Sequence, residues 1–276
     1  MPELPEVELV SRSLNSLVAG KRIRTAELRR ERLAPDITPT DFAANLAGAT
    51  INFVGRRGKH ILIDLDNQRT LIVHLRMSGR FSLLAGESED PKFTHAVFHF
   101  SEDERLVFDD QRHFGLMKVV GTPELHAAKE LAKLAPEPFS NEFDRAYLRR
   151  VLAGSSRSLK EFLLDQTKVC GLGNIYAAEA MFAARVDPRV PANSLSRAKA
   201  ARLFESIQAV LDEAVNHNAS RPVDPKNLEG SYFSGGNLEG WCVYDREDEP
   251  CVNCTTPILR LKQGGRSTYY CRKCQR

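Results

Sequence analysis

The first twenty residues place apolar side chains at the spacing of an α-helix. Val7, Val10, Leu14 and Leu17 recur at three- and four-residue intervals, which puts them on one helix face. Gly20 follows as a natural stop signal. The pattern therefore predicts a leading helix with one buried face. Such a helix would hold the N-terminus in place, although most chain ends fray.

Residues 22–120 show the pattern of short strands. Predominantly apolar segments are separated by turn signals at a spacing of roughly ten residues. The clearest of these segments are 60–65, 71–75, 96–100 and 106–108. Repeated short strands of this kind predict a β-sandwich or a β-barrel.

The apolar pattern becomes helical after residue 122. The predicted helices span 123–134, 144–153, 159–165, 174–184 and 196–216. Residues 134–138 contain two prolines and are typical of a stiff linker at a domain boundary. Residues 217–240 contain four glycines and two prolines with little periodicity. A loop of this length is predicted to be either a functional lid or a disordered segment.

Composition changes this picture little, whereas the distribution of charge adds to it. The 276 residues are 42% hydrophobic and 27% charged, and this length suffices for two domains with their own cores. No apolar run has the length of a membrane span, and no signal peptide precedes residue 2, so we expect a cytoplasmic protein. The formal net charge is only +3, but residues 251–276 carry six basic and no acidic residues. A local contact with a polyanion is therefore predicted there.

Four of the six cysteines form two Cys-x-x-Cys pairs in that basic segment, Cys251 with Cys254 and Cys271 with Cys274. Sixteen residues separate the pairs, which is the spacing of a four-thiolate zinc ribbon. Two disulfides are the alternative, but they need an oxidising compartment that nothing else in the sequence indicates. A segment this short cannot bury a core, so one structural zinc ion would supply its folding energy. The other two cysteines, which we expect to be reduced and structural, are Cys170 and Cys242.

The N-terminus carries the most reactive group that the sequence predicts. An initiator methionine is usually removed before proline, and its loss would leave Pro2 with a free secondary amine. An α-amino group titrates near ~8, so a fair fraction is neutral and nucleophilic at physiological pH. Such an amine can attack an aldehyde-level carbon to form an iminium, and the Glu3 carboxyl could exchange protons there. Pro5 and Glu6 suit the first turn of a helix. A Met-Pro start without function is the alternative.

The segment PELPEVE, residues 2–8, resembles the N-terminus of the formamidopyrimidine-DNA glycosylase family. The similarity continues through RRGKHILI at 56–63, LLDQTKVCGLGNIYAAEA at 163–180 and the two cysteine pairs, so it extends along the whole chain. It implies an α+β fold with an N-terminal β-sandwich and a leading helix. A helical domain with a helix–two-turns–helix element and a zinc-ribbon β-hairpin would follow. The implied domains are 1–134, 135–240 with a lid at 217–240, and 241–276.

The resemblance also implies an activity. The family excises oxidised purines, namely formamidopyrimidines and 8-oxoguanine, from duplex DNA and then nicks the abasic site by β,δ-elimination. Pro2 would form the Schiff base, Glu3 would assist opening of the sugar ring, and Lys59 would support proton transfer. From spacing alone, Lys59 could equally belong to a solvated charge cluster. The implied catalytic residues, including a phosphate-gripping arginine in the turn 263–267, are Pro2, Glu3, Lys59 and Arg266.

Further residues match DNA-contacting positions of the family. Met77, Arg112 and Phe114 would fill the space left by a base flipped out of the duplex, although Met77 and Phe114 could equally be core residues. His113 stands where the family has a second arginine, and Gln111 stands where it has a proline. The implied DNA-contacting residues are His74, Met77, His95, Arg112, Phe114, Arg157, Lys160, Asn174 and Arg266.

Two alternative functions stay open. The first is an endonuclease VIII-like glycosylase for oxidised pyrimidines, but that branch typically begins PEGPE, and Leu4 argues against it. The second is a catalytically silent zinc-ribbon DNA-binding protein, against which the presence of Pro2, Glu3 and Lys59 argues. We expect a monomer that binds damaged double-stranded DNA, has no membrane partner, and lies in the bacterial cytoplasm at the nucleoid.

Overall fold

The structure is a computed structural model that describes residues 1–219, 224–229 and 241–276. The chain divides into two compact units. The first comprises Met1–Ala132 and His217–Ser234, and the second comprises Lys133–Asn216 and Gly235–Arg276. The division into three domains at 134/135 and 240/241 stays a prediction.

The first unit is a β-sandwich with a leading helix, α1 (Leu4–Val18). Its two antiparallel sheets have the strand orders β1-β6-β7-β5-β9 and β2-β3-β4-β8. The strands are β1 (Thr25–Leu28), β2 (Ile51–Arg57), β3 (His60–Leu65), β4 (Arg69–His74), β5 (Gly79–Ala85), β6 (Thr94–His99), β7 (Glu104–Asp110), β8 (Leu116–Gly121) and β9 (Leu228–Glu229). The predicted β-sandwich is confirmed, and a barrel is excluded because the strands form two separate sheets.

One apolar core joins α1 to both sheets. Val7, Val10 and Leu14 of α1 are buried, as their spacing predicted, and they belong to the same cluster as Ile61 of β3 and Phe81 of β5. Burial of apolar surface stabilises by about 25 cal/mol per Å². The helix that begins next to the N-terminus is thus fixed by the main core of its unit.

A second helix of the first unit, α2 (Pro39–Leu46), was not predicted. Thr38 caps it by accepting the backbone N–H of Asp41 at 3.1 Å, and Pro39 occupies the first turn. Its large apolar residues are Phe42 and Leu46 only, which is too short a pattern to show helical periodicity. The capping signal in the Thr-Pro start could have indicated it.

The prediction of an α-helix at 123–134 is wrong. Thr122–Ala127 forms a 3-10 helix with no buried residue. The chain then continues through i→i+3 bonds, such as Leu131 N–H to the carbonyl of Ala128 at 2.9 Å. A short helix without a buried face lacks the packing that stabilises most protein helices.

The second unit is helical and ends in a two-stranded hairpin. The helices are α3 (Arg145–Ala153), α4 (Leu159–Leu164), α5 (Asn174–Ala183) and α6 (Arg197–Ala219), and the hairpin strands are β10 (Leu259–Gln263) and β11 (Arg266–Tyr270). Their positions agree with the predicted helices at 144–153, 159–165, 174–184 and 196–216 to within a few residues at each end. None of the helices in the described residues is long and apolar enough to cross a membrane.

Helix α5 anchors the segment that leads into the hairpin. The buried carboxylate of Glu179 accepts the backbone N–H groups of Cys242, Val243 and Tyr244 at 2.8, 3.0 and 2.8 Å. Burial raises the pKa of Glu179, and these hydrogen bonds oppose the rise. The hairpin therefore has a fixed attachment to the helices of its own unit.

The predicted lid at 217–240 lies mostly outside the described residues. Its described parts are the last residues of α6 and the short segment 224–229. Strand β9 in that segment pairs with β5, where Leu228 lies opposite Phe81.

Candidate active site and DNA-contacting residues

The N-terminus is held by the cap of α1. Glu3 is the N-cap residue, and its backbone N–H donates to Oε2 of Glu6 at 2.7 Å. Both glutamates are buried, since Glu3 is only 2% and Glu6 only 1% exposed. Pro2 is buried as well. Pro5 lies in the first helical turn, as predicted. The Glu3 side chain in turn accepts the backbone N–H of Glu6, so both carboxylates take part in the capping box, and Glu3 is the one adjacent to Pro2.

The α-amine of the chain interacts with both acidic and basic side chains. Burial lowers the pKa of the Met1 amine, and Glu3 and Glu6 oppose this effect. Lys59 and Arg112 lower the pKa further. A lowered pKa increases the neutral, nucleophilic fraction of an amine at pH 7. The fold thus brings residues from three separate parts of the sequence to the N-terminus.

Lys59 lies in the tight turn between β2 and β3. Arg57 pairs with His60, so Gly58 and Lys59 are the two central residues of a hairpin. Gly58 has φ +58°, a conformation that glycine adopts without strain and that the first central residue of a type II′ turn requires. Lys59 is only 5% exposed. The interpretation as a solvated charge cluster is therefore wrong for Lys59.

His74, at the end of β4, is buried and neutral. Its Nδ1 accepts the backbone N–H of Arg76 at 3.0 Å, and its ring lies edge-on to that of His60 with the centroids 4.7 Å apart. Burial lowers the pKa of His74 to about 2 and that of His60 to about 4. His74 can therefore donate only through Nε2. His95 of β6 is likewise buried.

The three residues matched to base-flipping positions lie on two exposed loops. Met77 follows β4, and Arg112 and Phe114 follow β7. Met77 is 40% and Phe114 56% exposed, so neither is a core residue. The guanidinium of Arg112 lies over the Phe114 ring, 5.3 Å from its centroid. Exposed large apolar side chains next to a cation are suited to contact with unstacked bases.

Asp110 holds both of these loops, a role that no local sequence pattern indicated. Its buried carboxylate accepts the hydroxyl of Ser78 at 2.5 Å and the backbone N–H of Arg112 at 3.2 Å through Oδ1. Its Oδ2 accepts the N–H of Gly115 at 2.7 Å. One carboxylate thus ties the loop that carries Met77 to the loop that carries Arg112 and Phe114.

We expect Asp110→Asn to weaken binding of damaged duplex about tenfold, a loss of ~1.4 kcal/mol. An asparagine has one accepting oxygen and an NH₂ group in place of the other, so one buried N–H or O–H loses its acceptor, at about 1–3 kcal/mol of stability. Fluorescence-based titration with a duplex that contains a tetrahydrofuran abasic analogue measures the binding. Asp109→Asn is the matched control, because the neighbouring buried carboxylate pairs with Arg80 instead. Equal affinities of the two variants would show that Asp110 does not position the loops.

The matched residues of the second unit lie where α4, α5 and β11 meet. Lys160 of α4 is fully buried, and its Nζ donates to the carbonyl of Asn174 at 3.4 Å. Asn174 begins α5, and its side-chain amide donates to the carbonyl of Ser267 in β11 at 3.0 Å. The side-chain oxygen of Asn174 is buried without a hydrogen-bond partner. A phosphate oxygen only accepts hydrogen bonds, so a phosphate contact of Asn174 would use an N–H of this side-chain amide.

Arg266 lies directly after the hairpin turn. It pairs with Gln263, and the turn residues Gly264 and Gly265 have φ +53° and +77°, as a type I′ turn requires. The predicted hairpin is confirmed, and Arg266 is exposed at its tip. Arg157, in contrast, forms an ion pair with Asp165 at 3.2 Å, so a phosphate would have to compete with that carboxylate.

The four cysteines of the basic segment converge on one point. Their Sγ atoms all lie within 4.8 Å of one another. Two of the separations, Cys251 to Cys274 and Cys254 to Cys271, are 3.9 and 3.5 Å. A tetrahedral zinc ion with Zn–S bonds of about 2.3 Å needs sulfur atoms about 3.8 Å apart. The cluster therefore fits a zinc ion.

Three family models match the chain in succession. Residues 1–117 match the formamidopyrimidine-DNA glycosylase N-terminal domain, and residues 134–223 match the H2TH domain of the same glycosylase. Residues 248–276 match a zinc finger found in FPG and IleRS. These matches follow the order of the β-sandwich, the helical unit and the cysteine cluster. The protein is therefore of the class of DNA glycosylases with a zinc finger.

Whole-chain comparisons agree with these matches. The sequence is 43% identical over 298 residues to formamidopyrimidine-DNA glycosylase of Bradyrhizobium sp. (strain ORS 278), covering all of both chains. The protein of the same name from Bacillus subtilis (strain 168) is 41% identical over 276 residues, covering all of this chain and 99% of the relative. The chain belongs to the formamidopyrimidine-DNA glycosylase family.

Two solved structures extend the comparison to complexes with DNA. The Lactococcus lactis enzyme bound non-covalently to DNA with an abasic site superimposes with a TM-score of 0.88 at 31% identity, covering 99% of each chain. The same enzyme with DNA that contains Fapy-dG gives a TM-score of 0.88 at 32% identity and the same coverage.

Proposed function

We propose that this protein is a bifunctional DNA N-glycosylase and abasic-site lyase that removes oxidised purines from duplex DNA in base-excision repair. The observation that carries the proposal is the buried N-terminal cluster. Glu3 is the N-cap of α1, Pro2 before it is buried, and the charges of Lys59 and Arg112 act on the Met1 amine one residue ahead of Pro2. The similarity to an enzyme solved with abasic-site and Fapy-dG DNA supports the substrate class.

The first chemical step exchanges the damaged base for the protein amine. After removal of Met1, the lone pair of the Pro2 nitrogen forms a bond to C1′ of the damaged nucleotide. The bond from C1′ to the base breaks, and its electron pair leaves with the base, which takes up a proton. The nitrogen then loses its own proton. Glu3 in its acid form donates a proton to O4′ as the C1′–O4′ bond breaks, and an iminium forms.

The iminium makes the strand cleavable. It acidifies the C2′ proton, whose loss expels the 3′-phosphate by β-elimination, and a second elimination expels the 5′-phosphate. Lys59 is suited to both steps, because it is buried and its charge acts on the α-amine of Met1, one residue ahead of Pro2. A cation there stabilises negative charge that develops on the leaving phosphates.

Binding of the duplex is assigned to residues of both units. Met77, Arg112 and Phe114 fill the space of the flipped nucleotide and contact its partner base. His74 and His95 contact the DNA backbone, as do Asn174 and, in part, Arg157. Lys160 lies near the damaged nucleotide, and Arg266 grips a phosphate through its guanidinium fork.

One structural zinc ion is part of the proposal. Cys251, Cys254, Cys271 and Cys274 would hold it as thiolates, and the ion contributes folding energy to the hairpin rather than chemistry at the lesion. We also propose that the protein acts as a monomer and works at the bacterial nucleoid.

A strand-cleavage assay on three duplexes tests the function. We expect nicking of duplexes that contain 8-oxoguanine or a preformed abasic site, with phosphates left on both sides of the gap. A thymine glycol duplex should be cleaved more slowly. Faster cleavage of thymine glycol would favour the endonuclease VIII-like alternative, and binding without any cleavage would identify a silent DNA-binding protein.

A further inference from the structure

Two histidines of the first unit contact each other ring to ring. Nδ1 of His113, in the loop after β7, lies 3.0 Å from Nε2 of His95 in β6. The ring centroids are 4.9 Å apart with a tilt of 32°, and Phe93 lies edge-on to His113 at 5.8 Å. In an imidazole–imidazole hydrogen bond one ring donates and the other accepts. The state of this pair therefore depends on a single proton.

The two rings differ in their environment. His95 is only 4% exposed, whereas His113 is exposed. Burial lowers the pKa of His95, and His113 and Arg30 lower it further. His95 is thus the neutral acceptor, and an added proton resides on His113. His113 then carries N–H groups on both nitrogens. Its Nδ1–H donates to His95, and its Nε2–H is left for an acceptor outside the protein.

The charged groups around the pair favour an anion as that acceptor. Arg30 after β1 and Asp109 and Asp110 at the end of β7 act on His95, and the Lys92 ammonium lies over the ring of Phe93, which contacts His113. Both carboxylates already have partners, since Asp109 binds Arg80 at 2.9 Å and Asp110 binds Ser78 at 2.5 Å. Asp109 is thus paired with a cation, and Arg30 and Lys92 favour an anion at the exposed N–H group of His113.

We propose that His113, when protonated, binds a phosphodiester oxygen of DNA through Nε2–H, and that its hydrogen bond to His95 holds the ring in place for this contact. The contact is therefore present at low pH and lost as the pH rises. An arginine at this position would be charged at every pH. The inference rests on the proposed function, because it requires that the loop after β7 lies on duplex DNA.

The test is the salt dependence of DNA binding at two pH values. Affinity for a duplex with a tetrahydrofuran abasic analogue is measured at about pH 6 and about pH 8, a range in which imidazoles change charge. One additional phosphate contact makes the slope of log K against log salt concentration steeper by about 0.9. For the unaltered protein we expect this difference between the two pH values, with affinity about tenfold higher at pH 6 in low salt.

Two substitutions of His113 isolate the contact. His113→Arg should keep the steep slope at both pH values, because its charge does not titrate. His113→Asn should show the shallow slope at both, and asparagine tolerates the φ of 60° at this position. His60 and His74 do not interfere, because burial lowers their pKa to about 4 and about 2.

Three outcomes separate the inference from the proposed function. A slope that is equal at both pH values in the unaltered protein would overturn the inference. The same pH-dependent change in all three proteins would assign it to another group and would also overturn it. If neither the unaltered protein nor His113→Arg prefers the damaged duplex to intact DNA, the proposed function itself fails.

Discussion

One additional residue ahead of Pro2 is expected to abolish covalent trapping on abasic DNA. Borohydride reduces an iminium to a stable amine, so the unaltered protein should become cross-linked to an abasic duplex through residue 2. An added residue turns the Pro2 nitrogen into an amide that cannot attack C1′. We expect the yield of cross-linked protein to fall at least about 100-fold, equal to ~2.7 kcal/mol of barrier.

Peptide mapping and a second variant make this result specific. Pro2→Gly keeps a free amine of the primary type and should still be trapped, at a reduced rate. Both variants keep Glu3 and the cap of α1, so binding of a tetrahydrofuran duplex should change little. A cross-link that maps to Lys59 or Lys160 would contradict the assignment of Pro2.

Local patterns predicted most of the fold, because they reflect which side of an element is buried. The strand predicted at 60–65 is β3 (His60–Leu65), whose alternate residues Ile61, Ile63 and Leu65 face the core. The long helix α6 follows the predicted helical stripe, and Leu203, Ile207 and Leu211 are fully buried. Where no side chain was buried, as in Thr122–Ala127, the same kind of pattern predicted a helix wrongly.

The residues proposed to act in catalysis at the N-terminus lie in a short motif, so their proximity to one another could be predicted. Pro2 and Glu3 are adjacent, and Glu6 is one helical turn further on, so the cap geometry follows from local sequence. Lys59 could be matched by resemblance, but its burial could not be predicted from the charge-rich RRGK run. That burial arises from the two-residue turn that Gly58 allows.

Contacts between distant positions could not be predicted. Asp110 and Ser78 are 32 residues apart, and His113 and His95 are 18 residues apart. Each side chain is an ordinary polar residue in the sequence, and only the pairing of β5 and β6 with β7 brings the partners together. The support for the loops that are proposed to contact DNA therefore depends on the register of the sheet, which no local pattern specifies.

Loss of the metal from the cysteine cluster is expected to weaken binding of damaged duplex by about 10- to 100-fold. The hairpin is short. The apolar cluster that it packs into includes two of the cysteines, Cys251 and Cys271, beside Ile258 and Tyr269. Without the ion, the segment loses the metal-binding free energy that folds it, so residues 251–276 should unfold. The Arg266 contact is then lost. The slope of log K against log salt should become shallower by about 0.9 for each lost phosphate contact.

Cys251→Ser and treatment with a chelator should give the same result, because each removes the ion. Cys242→Ser is the matched control, since Cys242 lies outside the cluster and contributes its backbone N–H to Glu179. Near-ultraviolet circular dichroism of Tyr269 and Tyr270 reports loss of the hairpin. The thermal transition of the sandwich should persist, because its core contains no residue of the hairpin. If Cys251→Ser bound damaged duplex as tightly as the control, Arg266 would not contact phosphate, and the zinc ribbon would have no part in DNA binding.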